Sequence, residues 1–178
     1  MNRVDYRLNA IIDGSLREVG DLAALAAIAA ENGATIIQYR DKDAPTRAMV
    51  AQASAIRAAL EGSGVPFVVN DRIDVALAAG AAGVHLGRDD MEPETARSLL
   101  GPGAIIGVTV KNDADAEAAI AAPVDYACIG GVYQTLSKRN PEPPLGIAGF
   151  ASLRATLAVA WPELPVGGIA GVDAARAG

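Results

Sequence analysis

The chain holds one cysteine, one histidine and one tryptophan, and aromatic residues make up only 4% of its 178 positions. The lone cysteine, Cys128, excludes an internal disulfide framework and a cysteine-based zinc site. Set in an apolar run, it reads as a small buried hydrophobe. With so few rings, the core must be built from Ala, Val, Ile and Leu; apolar residues form 51% of the chain, enough for a real core in one domain. Positive charge is also scarce, with 15 Lys and Arg against 21 Asp and Glu and a net charge of -6. No nucleic-acid or membrane partner is therefore expected, since either needs a basic face. A few locally placed cations can still hold a small anion. No stretch approaches the roughly 18 uncharged apolar residues of a membrane span, and the run Met1-Asn-Arg-Val-Asp-Tyr-Arg has no signal-peptide apolar region. The expectation is a soluble, cytoplasmic protein.

What is present is a regular alternation. Short β-branched runs at 7–12, 35–40, 65–70, 83–86, 104–107, 125–129 and 164–169 read as strands. Between them, alanine-rich segments at 21–32, 45–61, 73–79, 93–100, 113–121 and 147–160 read as helices. Asp21 is placed to cap one helix, Pro45 and Pro93 to open two, and Gly33 and Gly80 to close two. Repeated strand–helix units imply parallel strands with right-handed crossovers. An open doubly wound sheet and a closed (β/α)8 TIM barrel both answer that description. The first strand–helix turn lacks the Gly-x-Gly-x-x-Gly fingerprint of a dinucleotide fold, and polar residues gather at the carboxyl ends of nearly every strand, as a barrel site requires. The barrel is preferred. Only seven strands are found, and position 178 falls where a seventh helix would begin. Residues 1–178 are thus expected to form a single barrel domain, C-terminally incomplete, lacking the eighth strand–helix unit of roughly 30 residues.

The polar residues fall at strand ends in order. Gln38, Arg40 and Lys42 alternate along one segment and project together. Two cationic heads aimed one way suggest an anion between them; a solvated strand end is the competing reading. Asn70 and Asp71 follow the third strand, and His85-Leu-Gly-Arg-Asp-Asp90 leads out of the fourth. Asp71 and Asp90 lie on neighbouring loops and suit a hard, oxygen-preferring ion such as Mg²⁺; each could instead cap its following helix. Thr109 ends the fifth strand, a glycine-led loop ending Thr135-Leu-Ser-Lys138 follows the sixth, and Gly171 follows the seventh just before the expected helix. A helix start there would offer amides to an anion. His85 reads as a buried, hydrogen-bonded histidine rather than a catalytic base, and Trp161 as packing at a helix end. No Ser-His-Asp or Cys-His arrangement is discernible.

In this order, Gln38-Tyr-Arg-Asp-Lys42, Asn70-Asp71, Val84-His-Leu-Gly-Arg-Asp-Asp90, Asp125-Tyr126 and Thr135-Leu-Ser-Lys138 resemble the thiamine phosphate synthase family. The likeness runs from about Tyr6 to Ala175. It implies a (β/α)8 barrel that joins hydroxymethylpyrimidine pyrophosphate to a thiazole phosphate, giving thiamine phosphate and pyrophosphate with the help of Mg²⁺. Carried over by position, Gln38, Tyr39, Arg40, Asp41, Lys42, Asn70, Thr109 and Lys138 would hold the pyrimidine pyrophosphate. Asp71 and Asp90 would ligate Mg²⁺, and Thr135, Leu136, Ser137 and Gly171 would contact the thiazole phosphate. Arg40 and Lys138 would act catalytically on the leaving group.

The chain also departs from the family pattern. Thr109 and Ser137 exchange one hydroxyl residue for another, and Ala170 stands in a Gly-Gly pair. Lys111 occupies the place of a His associated with the acid–base work of related thiazole tautomerases, which counts against that activity. The alternatives to a synthase are that tautomerase and a catalytically inactive barrel that binds thiamine precursors or regulates a partner. Phosphorylated small molecules are the expected ligands, and self-association into a homo-oligomer is left open.

Overall fold

The computed structural model describes residues 4–135, 143–173 and 175–176. Among them lie seven strands: β1 (Asn9–Asp13), β2 (Ile36–Arg40), β3 (Phe67–Asn70), β4 (Gly83–Leu86), β5 (Ile105–Val110), β6 (Tyr126–Ile129) and β7 (Val166–Gly168). The helices are α1 (Leu22–Glu31), α2 (Thr46–Ala59), α3 (Ile73–Ala79), α4 (Pro93–Leu100), α5 (Asp113–Ala121) and α6 (Gly146–Ala160), with a short 3-10 helix, Gly14–Glu18, after β1. Local chemistry sets several boundaries. The Asp21 carboxylate accepts from the Ala23 and Ala24 amides at 2.7 and 3.2 Å, capping α1. Pro93 opens α4, and Gly80 closes α3 at a φ of 67°.

Each strand pairs in parallel with the next, in the unbroken order β1-β2-β3-β4-β5-β6-β7. A doubly wound sheet reverses order at a switch point, so that alternative is excluded. The two faces of the sheet carry different chemistry. Ile37, Val69, Val84, Ile106 and Ala127 pack with Leu22, Met49, Ile56, Ala76 and Leu153 of the helices. On the opposite face Ile36, Val68, Ile105 and Tyr126 form a second buried group, against which Val4 and Tyr6 pack. The helices thus cover one side only, and the arrangement is a seven-stranded parallel half-barrel. The second group lies at the amino ends of the strands, where the Tyr6 and Tyr126 rings sit 5.2 Å apart. The carboxyl ends are left to polar residues.

Some expectations shift. β5 continues to Val110, so Thr109 lies within the strand and pairs with Cys128. Parallel partners share a face, which puts Cys128 on the polar side and leaves it only partly buried. No helix follows Gly171 among the described residues. Trp161 ends α6 and packs against the main core, as expected. No helix among the described residues is long and apolar enough to cross a membrane.

Candidate active site

Alternation along β2 sends its side chains to two destinations. Arg40 stands opposite Asp13 across the β1–β2 pairing, and the two form an ion pair with side chains only 20% and 28% exposed. Gln38, two residues earlier on the same face, is buried. Tyr39 and Asp41 point the other way. The Tyr39 hydroxyl donates to Asp41 Oδ2 at 3.1 Å, and Arg17 Nη2 reaches both, at 2.6 Å from the carboxylate and 3.2 Å from the hydroxyl. This network ties the turn after β1 to the end of β2. Burial pushes the Asp41 carboxyl up, but the Ala44 and Asp43 amides and Arg17 outweigh it and hold it below its usual range. Burial and the Asp41 charge push the Tyr39 phenol up to about 12. Tyr39 and Asp41 are therefore not brought together with Gln38 and Arg40.

Lys42, just past the strand, donates to Asp71 Oδ2. Asp71 follows β3 at a φ of 62°, a left-handed conformation rarely adopted by residues other than Gly, Asn and Asp. Its amide donates to the His85 carbonyl at 2.8 Å, which pins the loop to β4. Asp90 accepts from the Gly87 amide at 2.7 Å. The helices after these aspartates, α3 and α4, have Arg72 and Glu92 as their N-cap residues, and neither has a side-chain cap. Helix capping is thereby ruled out for both carboxylates. They are instead in contact with each other: burial first, and then Asp71 beside it, push the Asp90 carboxyl up to about 6, against the Gly87 amide and Lys42.

Two neighbouring carboxylates favour a cation between them. Among the described residues no group of three or more His, Cys, Asp or Glu side chains could hold a metal. A carboxylate pair nonetheless suits Mg²⁺, which keeps several waters and takes further oxygens from substrate phosphates. Asp71 and Asp90 fit that ion.

The remaining positions frame the same end of the sheet. Asn70 ends β3 opposite His85, and His85 lies opposite Gly107. Thr109 Oγ1 sits 2.9 Å from His85 Nε2. The loop leaving β6 folds against the exit of β7: Val132 and Tyr133 amides donate to the Ile169 and Ala170 carbonyls at 3.1 and 2.9 Å. Gly171 has a φ of 62°, and a Cβ there would lie 2.4 Å from the Gln134 carbonyl oxygen, so only glycine fits. Thr135, next along, is thus carried beside that turn. Leu136, Ser137 and Lys138 lie outside the described residues. Sequence reasoning missed Asp13, whose pairing with Arg40 depends on strand register, and Asn9, which reaches across the sheet to Tyr126, a residue named there only as part of a motif.

A sequentially wound parallel sheet with cations and paired carboxylates at the carboxyl ends of its strands defines a barrel-type α/β protein built to hold phosphorylated small molecules. The thiamine monophosphate synthase family model matches residues 8–178, and the chain belongs to that family. A thiamine-phosphate synthase of Agrobacterium fabrum is 62% identical over 176 residues, covering 99% of this chain and 80% of that protein. One from Azorhizobium caulinodans is 39% identical over 170 residues, covering 96% and 79%. The solved thiamine phosphate pyrophosphorylase of Pyrococcus furiosus superposes with a TM-score of 0.76 at 32% identity, covering 93% of this chain and 76% of that one.

Proposed function

We propose that this enzyme joins 4-amino-2-methyl-5-hydroxymethylpyrimidine pyrophosphate to a thiazole phosphate, releasing thiamine phosphate and pyrophosphate. The observation that carries the reading is the Lys42–Asp71–Asp90 cluster, in which neither aspartate serves as a helix cap. Pyrophosphate leaves a methylene carbon attached to an electron-rich aminopyrimidine, so positive charge at that carbon spreads into the ring. The thiazole nitrogen then bonds to the carbon. Such a substitution needs little general-base help. It needs positive charge where the leaving group gains negative charge, and two substrates held in line. Arg40, Lys42 and Lys138 would supply that charge, and Gln38, Asn70 and Thr109 would hold the pyrimidine part. Mg²⁺, held by Asp71 and Asp90, would add Lewis-acid charge to the pyrophosphate. Thr135, Leu136, Ser137 and Gly171 would receive the thiazole phosphate. Tyr39 and Asp41 support this wall from behind.

The seven strands would belong to a (β/α)8 barrel. The unbroken strand order supports that closure. A cytoplasmic location, and ligands that are phosphorylated small molecules rather than nucleic acid or membrane, belong to the same proposal.

Asp71→Asn keeps a residue that tolerates the left-handed backbone and removes one charge. Turnover should fall at least ~10²-fold, as for loss of one strong transition-state stabiliser, measured as thiamine phosphate formed with both substrates and Mg²⁺. Unchanged turnover would remove Asp71 from the site. Calorimetric binding of the pyrimidine pyrophosphate without product would support the inactive barrel instead.

A further inference from the structure

On the polar face of the sheet, four side chains from four strands form a chain of hydrogen bonds. Asn9 Nδ2 of β1 lies 3.5 Å from Tyr126 Oη of β6, Tyr126 Oη lies 3.0 Å from His85 Nδ1 of β4, and His85 Nε2 lies 2.9 Å from Thr109 Oγ1 of β5. Asn9 Oδ1 is buried with no partner among the described residues. The direction of the chain follows from its far end. An amide nitrogen only donates, so Tyr126 Oη accepts from Asn9 and turns its own hydrogen onto His85 Nδ1. Burial drives the Tyr126 phenol far above its ordinary range, so that hydrogen is always present. Nδ1 is then bare, the imidazole proton sits on Nε2, and Thr109 Oγ1 accepts it. The Thr109 hydrogen is left for whatever occupies the cleft. Turning the Asn9 amide over would reverse every bond, but it would bury an NH2 group unpaired in place of a carbonyl oxygen. Orphaned buried donors are the rarer and costlier case.

We propose that His85 is a positioning residue, oriented by Tyr126 and Asn9, that fixes Thr109 as a hydrogen-bond donor to the pyrimidine pyrophosphate. It rests on the substrate reading above. A group that can only donate selects acceptors, namely ring nitrogens and phosphate oxygens, and a leaving pyrophosphate becomes a better acceptor as its bond breaks. His85 itself neither takes nor gives a proton in the reaction.

The chain contains a single histidine, so nitrogen-15 spectra of histidine-labelled protein read His85 alone. The expected spectrum at neutral pH is that of the Nε2–H tautomer with a bare Nδ1. In Tyr126→Phe the Nδ1 donor is gone, and the spectrum should move toward the Nδ1–H form. The KM for the pyrimidine pyrophosphate should rise about tenfold in Tyr126→Phe and in Thr109→Val, the loss of one hydrogen bond to a charged group. Thr109→Ser should restore the wild-type value, and the double variant should be no worse than either single one. An Nδ1–H or doubly protonated ring in the wild type overturns the proposal, with or without activity, and needs no variant to fold. Additive effects in the double variant overturn it too. A wild type that makes no thiamine phosphate defeats the substrate reading instead, while the spectrum still decides the direction of the relay.

Discussion

Ala170 holds a φ of 86°, where a Cβ crowds the backbone and glycine alone sits freely. Its carbonyl accepts from Tyr133, which keeps the residue in that pose. Relief of strain at such a residue is worth roughly 1–3 kcal/mol, and the added freedom of the unfolded glycine takes back roughly 0.4–1 kcal/mol. Ala170→Gly should therefore stabilise the protein by about 1 kcal/mol, read as a higher urea midpoint at unchanged slope. Asp71 is held in a similar pose, but there the side chain is the functional group. Its neighbour Asp90 links the site to pH. An acid whose folded-state value is raised, here to about 6 by burial and Asp71, is favoured in its protonated form, so its contribution is present at low pH and is lost as Asp90 ionises. Without divalent ions, Asp90→Asn should be more stable than the wild type at pH 7 and should lose that advantage near pH 4, in parallel thermal melts. Mg²⁺ should raise the wild-type melting temperature at pH 7 and much less at pH 5, where it competes with the Asp90 proton. The carboxylate pair was legible because both residues end successive strands. The partner of Arg40 was not, because nothing in the order of residues states which position of β1 faces β2.

At the level of elements, α4 is fastened to the sheet by one arginine. Arg97 Nη1 donates to the Ala104 carbonyl at 2.5 Å, and Nη2 donates to the Pro123 carbonyl at 2.9 Å and to Asp125 Oδ2 at 2.7 Å. The same carboxylate oxygen accepts from the Ile106 amide at 2.8 Å, joining the starts of β5 and β6. Arg97→Met keeps the stem and strips these bonds, leaving partly buried acceptors unpaired. The expected loss is about 2 kcal/mol in denaturant titrations, with thiamine phosphate synthesis intact because the staple lies at the opposite end of the strands from the site. Most elements were legible, since apolar runs and glycine or proline punctuation coincide in α3, α4, α5 and β4. The 3-10 helix Gly14–Glu18 was not, because five residues carry no period. The extension of β5 past Gly107 was also missed, as Thr109 and Val110 look like any strand exit until their pairing with Cys128 and Ile129 is seen. Gln38 and Arg40 share a face as alternation requires, whereas the same rule sends Tyr39 and Asp41 behind the sheet.

For the molecule as a whole, a chain with net charge -6 still places Arg40 and Lys42 together at the carboxyl end of β2, each paired with an aspartate. The global charge argued against a basic binding face but left room for a local anion site. Strand order, helix placement and the family were readable from alternation and motif order. The most direct test follows pyrophosphate release and thiamine phosphate formation together, with Mg²⁺ and the pyrimidine pyrophosphate, as thiazole phosphate is added. Equimolar release and synthesis, both requiring thiazole phosphate and Mg²⁺, is the predicted result. Pyrophosphate release without thiamine phosphate, or no release when both substrates are bound, would contradict it.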